Sequence, residues 1–189
     1  TTPDLCSLRR TCKRTEAWLF DTFSHDFFTR KQFMLTELSL QTLIDISNHP
    51  TLSQCLSHVI IGLDNYDDSR PPPHFNQDAQ ANRYRAGLAD QFTLLSTGQD
   101  RDMLAYAFRN LPNLQTVGLR DYSSGGRVRD NGKWHSYGAI TIFEETGVRL
   151  TGEYRQAATD KDLRYASRAF SSVLYALGQS GARPPTFEV

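Results

Sequence analysis

The sequence predicts an α/β protein, an open irregular βα-repeat with short parallel strands behind an N-terminal helical segment. Three observations carry this. Short β-rich runs occur at His58–Leu63 and Gln115–Leu119, with a third at Thr186–Val189. Apolar residues at helical spacing fill the segments between them. Strands that alternate with helices pair in parallel through right-handed crossovers.

The elements follow in order. Residues 4–20 read as one amphipathic helix, with Leu5, Leu8, Cys12, Leu19 and Phe20 apolar and Arg9, Arg10, Lys13 and Arg14 as a cationic face. The aromatic stretch after it (Phe23, Phe27, Phe28 and Phe33) reads as core packing. A second helix covers Ser39 to Asn48, built on Leu40, Leu43, Ile44 and Ile46. His49-Pro50 stops it, because the residue before proline is pushed out of the helical region. The first strand, from His58, ends in the turn-forming Asp64-Asn65-Tyr66-Asp67-Asp68, which reads as a solvated strand-end turn. Tyr84, Leu88, Phe92 and Leu95 mark a third helix, and Leu104, Ala107 and Phe108 a fourth. After the second strand, residues 120–138 form a polar loop. Helix resumes weakly at Ala139–Glu145 and strongly from Asp160, on Leu163, Ala166, Phe170, Val173, Leu174 and Leu177. The strand spacing exceeds the 20–29 residues of a regular leucine-rich repeat, so periodicity alone does not establish a solenoid.

Composition narrows the function. Hydrophobic residues at 39% in a chain of 189 give a globular protein with a sizeable core. Twenty-one cations balance 21 acids, which argues against a nucleic-acid coat protein, since such binding needs excess cations. No apolar run is long enough to span a bilayer. Three cysteines without a CxxC pair (Cys6, Cys12 and Cys55) point to free thiols in a reducing compartment, cytoplasmic or nuclear, and to no zinc site.

Catalytic motifs are absent from the sequence: there is no phosphate loop, no GxGxxG after a strand and no nucleophile elbow. No cofactor and no metal are expected. The loop 120–138 is the best candidate for function, because loops after parallel strands line the edge where ligands bind and because Arg, Tyr and Trp dominate recognition hot spots. Its alternative is a surface loop tied down by Trp134 and Tyr137.

Several stretches, taken together, resemble F-box proteins of filamentous ascomycete fungi with irregular leucine-rich-repeat-like regions. Leu5-Cys6-Ser7-Leu8-Arg9-Arg10-Thr11-Cys12-Lys13-Arg14 resembles the last helix of an F-box. Phe33-Met34-Leu35 with Ser39-Leu40, Leu43, Asp45-Ile46-Ser47 and His49-Pro50 resembles the segment after it. His58–Asp64 resembles a first repeat strand, and Asn110–Leu114 with Val117–Tyr122 a second. Trp134, Ser136-Tyr137-Gly138 and Glu145-Thr146-Gly147 also fit. The resemblance divides the chain into residues 1–34, a C-terminal remnant of an F-box-like helical segment, and residues 35–189, the repeat domain. It implies a non-catalytic substrate receptor of a cullin–RING ubiquitin ligase, docking on a Skp-type adaptor and presenting a degradation target. Leu5, Leu8 and Cys12 would then be the adaptor-side contacts. Arg120, Asp121, Tyr122, Arg127, Arg129, Trp134 and Tyr137 would contact the target. The first half of an F-box is missing from these residues. The alternatives are a small α/β hydrolase using Asp64, Asp121 or His135 near the strand ends, and a truncated fragment without independent function.

Overall fold

The computed structural model describes residues 2–67, 78–120, 135–150 and 160–189. The chain is α/β. Two helices open it, α1 (Thr2–Arg9) and α2 (Lys13–Phe28). They lead into β1 (Arg30–Met34), α3 (Glu37–Asn48), the short α4 (Leu52–Cys55) and β2 (His58–Gly62). Then come α5 (Asp78–Thr97), α6 (Gln99–Arg109) and β3 (Thr116–Arg120), followed by α7 (Ala139–Thr146), α8 (Asp160–Ser180) and β4 (Thr186–Glu188).

The four strands form one parallel sheet in the order β1-β2-β3-β4. This sequential order has a consequence. When every crossover turns the same right-handed way and each strand adds beside the last, all helices fall on one face of the sheet. Phe33, Val59, Ile61, Val117 and Leu119 point to that face. They pack with Leu40, Leu43 and Ile46 of α3, Leu104 and Phe108 of α6, and Ala169, Val173 and Ala176 of α8.

The strand entries repeat. The Thr29 carbonyl accepts from the N–H groups of Ser57 and His58, the Ser57 carbonyl from Gln115 and Thr116, and the Gln115 carbonyl from Thr186. The residue before each strand thus anchors the start of the next one. A side-chain ladder runs beside it: Asn113 donates to the Gln54 carbonyl at 2.8 Å, and Asn110 to Asn48 Oδ1 at 3.2 Å.

Several expectations are corrected. The helix expected over residues 4–20 breaks at Arg10–Cys12. Thr11 Oγ1 donates back to the Leu8 carbonyl at 2.7 Å, and extended Cys12 caps α2 by accepting from Thr15 N–H at 3.4 Å. These local bonds compete with the helix. Arg9 is not on a solvated cationic face: its guanidinium lies 3.5 Å over the Phe23 ring and pairs with Glu16 at 3.4 Å. Strand β1 was not expected. In the sequence its Phe33 reads as part of the aromatic core stretch, because Phe33 and Met34 follow a polar run, Arg30-Lys31-Gln32. The strand belongs to the sheet, so the sheet begins at Arg30, inside the segment assigned to residues 1–34. His58 follows its partner Arg30 by 28 residues, within the leucine-rich-repeat range. Phe92 of α5 is 72% exposed, and buried Gln91 takes the inward position instead, accepting from Tyr66 N–H and donating to the Leu35 carbonyl, both at 2.9 Å. On α8 the large residues Leu163, Phe170 and Leu174 face out. Ala169, Ser172, Val173 and Ala176 face α6, because small residues let the two helices approach closely.

His49 does more than end α3. Its Nδ1 accepts from the N–H groups of Thr51 and Leu52, both at 3.2 Å, and so satisfies the start of α4.

Candidate functional site

The face of the sheet turned away from the main core carries residues of the opposite parity. In register they form three rows: Arg30, His58, Thr116 and Thr186; then Gln32, Ile60, Gly118 and Glu188; then Met34, Gly62 and Arg120. The charged members gather around Glu188. One of its carboxylate oxygens lies 3.3 Å from His58 Nε2 and 3.3 Å from Arg120 Nη2. Gly118 makes room, since a Cβ there would stand 3.4 Å from the Glu188 side chain.

Burial holds the His58 pKa below its ordinary 6.5, with Arg30 and Arg120 adding repulsion and Glu188 opposing them. The folded state therefore takes up this proton less readily than the unfolded chain. The stability tied to His58 is present above pH 6.5 and is lost as pH falls below it. Glu188→Gln removes the one opposing charge, so the His58 resonance should titrate at lower pH than in the parent chain. An NMR titration that shows no further lowering would mean Glu188 does not face the imidazole in solution.

At the carboxyl edge the sheet closes over a buried polar cluster. Ser136 donates to the Asp64 carboxylate and accepts from Gln32 Nε2 at 3.0 Å. Tyr137 N–H donates to the Gln32 carbonyl of edge strand β1 at 2.9 Å. Asp64 is buried rather than solvated, against expectation, and burial pushes its carboxyl pKa up, with the Ser136 bond and His135 opposing. The three groups meet over Gly62, where no side chain is in the way. The result is a latch that holds residues 135–138 on the ends of β1 and β2.

Of the expected target contacts, Arg120 stands part-buried on this face, bonded to Glu188. Tyr137 is 45% exposed and stacks on Phe33 at 6.4 Å. Asp121, Tyr122, Arg127, Arg129 and Trp134 lie outside the described residues. Asp121, offered for the hydrolase alternative, does so too. His135 is exposed beside the latch. Arg30, His58 and Glu188 escaped the sequence reading. Their signal was the period-two alternation of the strands: His58-x-Ile60 around Val59 and Ile61, and Thr116-x-Gly118-x-Arg120 around Val117 and Leu119.

The expected adaptor side does not form one apolar face. Leu5 is half-buried, Leu8 is 50% exposed, and Cys12 sits across the helix break as a cap. The largest exposed apolar group on α2 is Trp18, at 70%, under the Arg14 guanidinium. The Cys12 thiol is held below its ordinary pKa by its bonds to Thr15, whereas burial pushes Cys55 up. Iodoacetamide at mildly alkaline pH should therefore alkylate Cys12 well before Cys55. Peptide mapping that finds the reverse order would contradict the cap geometry.

Among the described residues no helix is long and apolar enough to cross a membrane, and no group of three His, Cys, Asp or Glu side chains stands together to hold a metal. No protein-family model, no curated protein and no solved structure matches the chain.

Proposed function

We propose that the chain is a non-catalytic protein-interaction module, the target-presenting part of an F-box-type substrate receptor in a cullin–RING ubiquitin ligase, working in the cytoplasm or nucleus. The observation that carries this reading is the singly wound parallel sheet, whose face opposite the helices bears Arg120, His58 and Glu188. Ile60, Met34 and Gln32 on that face are buried, so it is the part-exposed charged rim of Arg120 and Glu188 that is offered to another protein. The repeated strand entries at Thr29, Ser57 and Gln115 support the resemblance to a leucine-rich repeat. The Asp64–Ser136 pair is read as a latch because both residues are buried and the serine proton is already given to the carboxylate.

The test is co-purification with the Skp-type adaptor, comparing the longest transcript product with these 189 residues alone. Binding by the longer chain supports the receptor reading. Failure of both, although both fold, overturns it. The target surface is tested by Arg120→Gln, which should weaken capture of whatever the receptor-bound chain retains from its own cell extract; the change also removes the pair with Glu188, so Glu188→Gln serves as the control for that loss and should leave capture in place.

A further inference from the structure

A cleft of about 550 Å³ opens at the carboxyl edge between α3, α5 and α7. Among the described residues its charge is unbalanced: Glu37, Asp90 and Glu145 line it against the single cation Arg83. These carboxylates come from three different helices. Thr36, the residue before α3, lines it too. Thr36 is 7% exposed, and its hydroxyl has no hydrogen-bond partner among the described residues. It also does not cap α3, the usual use of a threonine at that position. A buried hydroxyl left without a partner is costly, so it marks a place where another polar group belongs.

The walls are apolar and shaped. Leu38 and Ile142 line two sides. Tyr66 lies against α5 where Gly87 has no side chain; a Cβ at 87 would fall 2.4 Å from the phenol. Glycine inside a helix is unfavourable by about 1 kcal/mol relative to alanine, so this approach has a stability cost. The cost places an aromatic face in the cleft. The Tyr66 phenol is pushed up to about 12, first by burial and then by Tyr84, Glu145 and Asp90.

We propose that this cleft binds the ammonium of a lysine side chain presented by an extended segment of a partner protein. Charge complementarity selects a cation. Acceptors contributed by three separate helices suit a compact ammonium with three rotatable donors better than the planar fork of arginine. Leu38 and Ile142 suit the aliphatic stem, and the Tyr66 face suits the charge. The volume exceeds one amine and accommodates the residues on either side of the lysine. The inference rests on the interaction-module reading, but it is tested on the isolated chain without adaptor, so failure here leaves the adaptor experiment standing.

The experiment is an amide NMR titration with four probes: a blocked Ala-Lys-Ala peptide, the same peptide with norleucine, the same with arginine, and butylamine. The lysine peptide should shift the Thr36, Tyr66 and Gly87 amides and bind at least several-fold more tightly than the other three. The exposed pair Asp90→Asn and Glu145→Gln should weaken it about tenfold without changing the fold, and added salt should weaken it as well. Equal binding of the norleucine peptide overturns the charge argument. Equal binding of the arginine peptide overturns the ammonium preference, and equal binding of butylamine makes the occupant a free amine instead of a protein segment. Absence of shifts with every probe overturns the site.

Discussion

Asp100→Ala is expected to destabilise the protein by about 3 kcal/mol, within the range for breaking a buried charged pair. Asp100 is fully buried in the first turn of α6, where a carboxylate also faces the positive end of the helix. One oxygen accepts from Ser172 of α8, and the other lies 3.4 Å from the Arg168 guanidinium. Arg168 in turn donates to the Leu95 carbonyl near the end of α5. A single carboxylate therefore ties three helices at one corner. Truncation leaves the Ser172 hydroxyl buried without an acceptor and Arg168 without its anion. For a domain of this size the loss corresponds to a fall in Tm of about 6–12 °C. Asp100→Asn keeps an acceptor for Ser172 and should lose clearly less. Asp100→Ala with Ser172→Ala should recover part of the loss, since removing both partners of a buried hydrogen bond costs less than removing one. Denaturant curves that place Asp100→Ala within about 0.5 kcal/mol of the parent, the range of ordinary surface changes, would show that α6 and α8 are held by apolar packing alone.

That corner was invisible in the sequence, where Asp100 reads only as an acidic residue opening a helix. The fold class was legible, because Val59-Ile60-Ile61 and Thr116-Val117 are β-branched runs and the helices between them keep their spacing. Strand β1 was not legible. Arg30-Lys31-Gln32 carries no β-branched residue, and it is a strand because β2 lies beside it and Phe33 fills the core. On α5 and α8 the periodicity was right and the inward face partly so: Tyr84 and Val173 are buried and Leu95 and Leu177 pack on the core, whereas Phe92, Leu163, Phe170 and Leu174 are exposed. Sequence spacing favours large apolar residues such as Phe92 and Phe170. The inward positions are decided by the partner: a hydrogen-bonding Gln91 under Tyr66, and small side chains where α8 meets α6. The charged site on the face away from the main core was half legible. Arg120 stood out in a basic loop, but the charges that gather with it come from the three other strands and meet only through register.

Gly62→Ala is the second large expected effect, and it isolates the latch from the rest of the fold. Backbone strain is not the reason for glycine here. Space is the reason: a Cβ at 62 would stand 2.3 Å from Ser136 Oγ, 2.7 Å from Gln32 Nε2 and 2.9 Å from Asp64 Oδ2. Gln32 is long enough to swing aside. Ser136 and Asp64 are short, buried and bonded to each other, so the methyl group must part them. A carboxylate then stays buried without its donor, and the expected loss is about 2 kcal/mol. Hydrogen exchange should rise at the Tyr137 amide, which bonds to the edge of β1, while amides of α6 and α8 stay protected. Gly178→Ala is the matching control. Gly178 lies in α8 with nothing near its missing Cβ, so alanine there should stabilise by about 0.5–1 kcal/mol. The pH dependence carries an independent mark. Asp64 has its folded-state pKa raised above 3.8, so the native state holds the proton more readily than the unfolded chain. Its contribution then favours folding at low pH and weakens as pH rises through the folded-state value. Asp64→Asn should remove that slope, and in its background Gly62→Ala should cost measurably less, because the buried charge that made the intrusion expensive is gone. If the two substitutions instead add independently, the methyl group collides with something other than the latch.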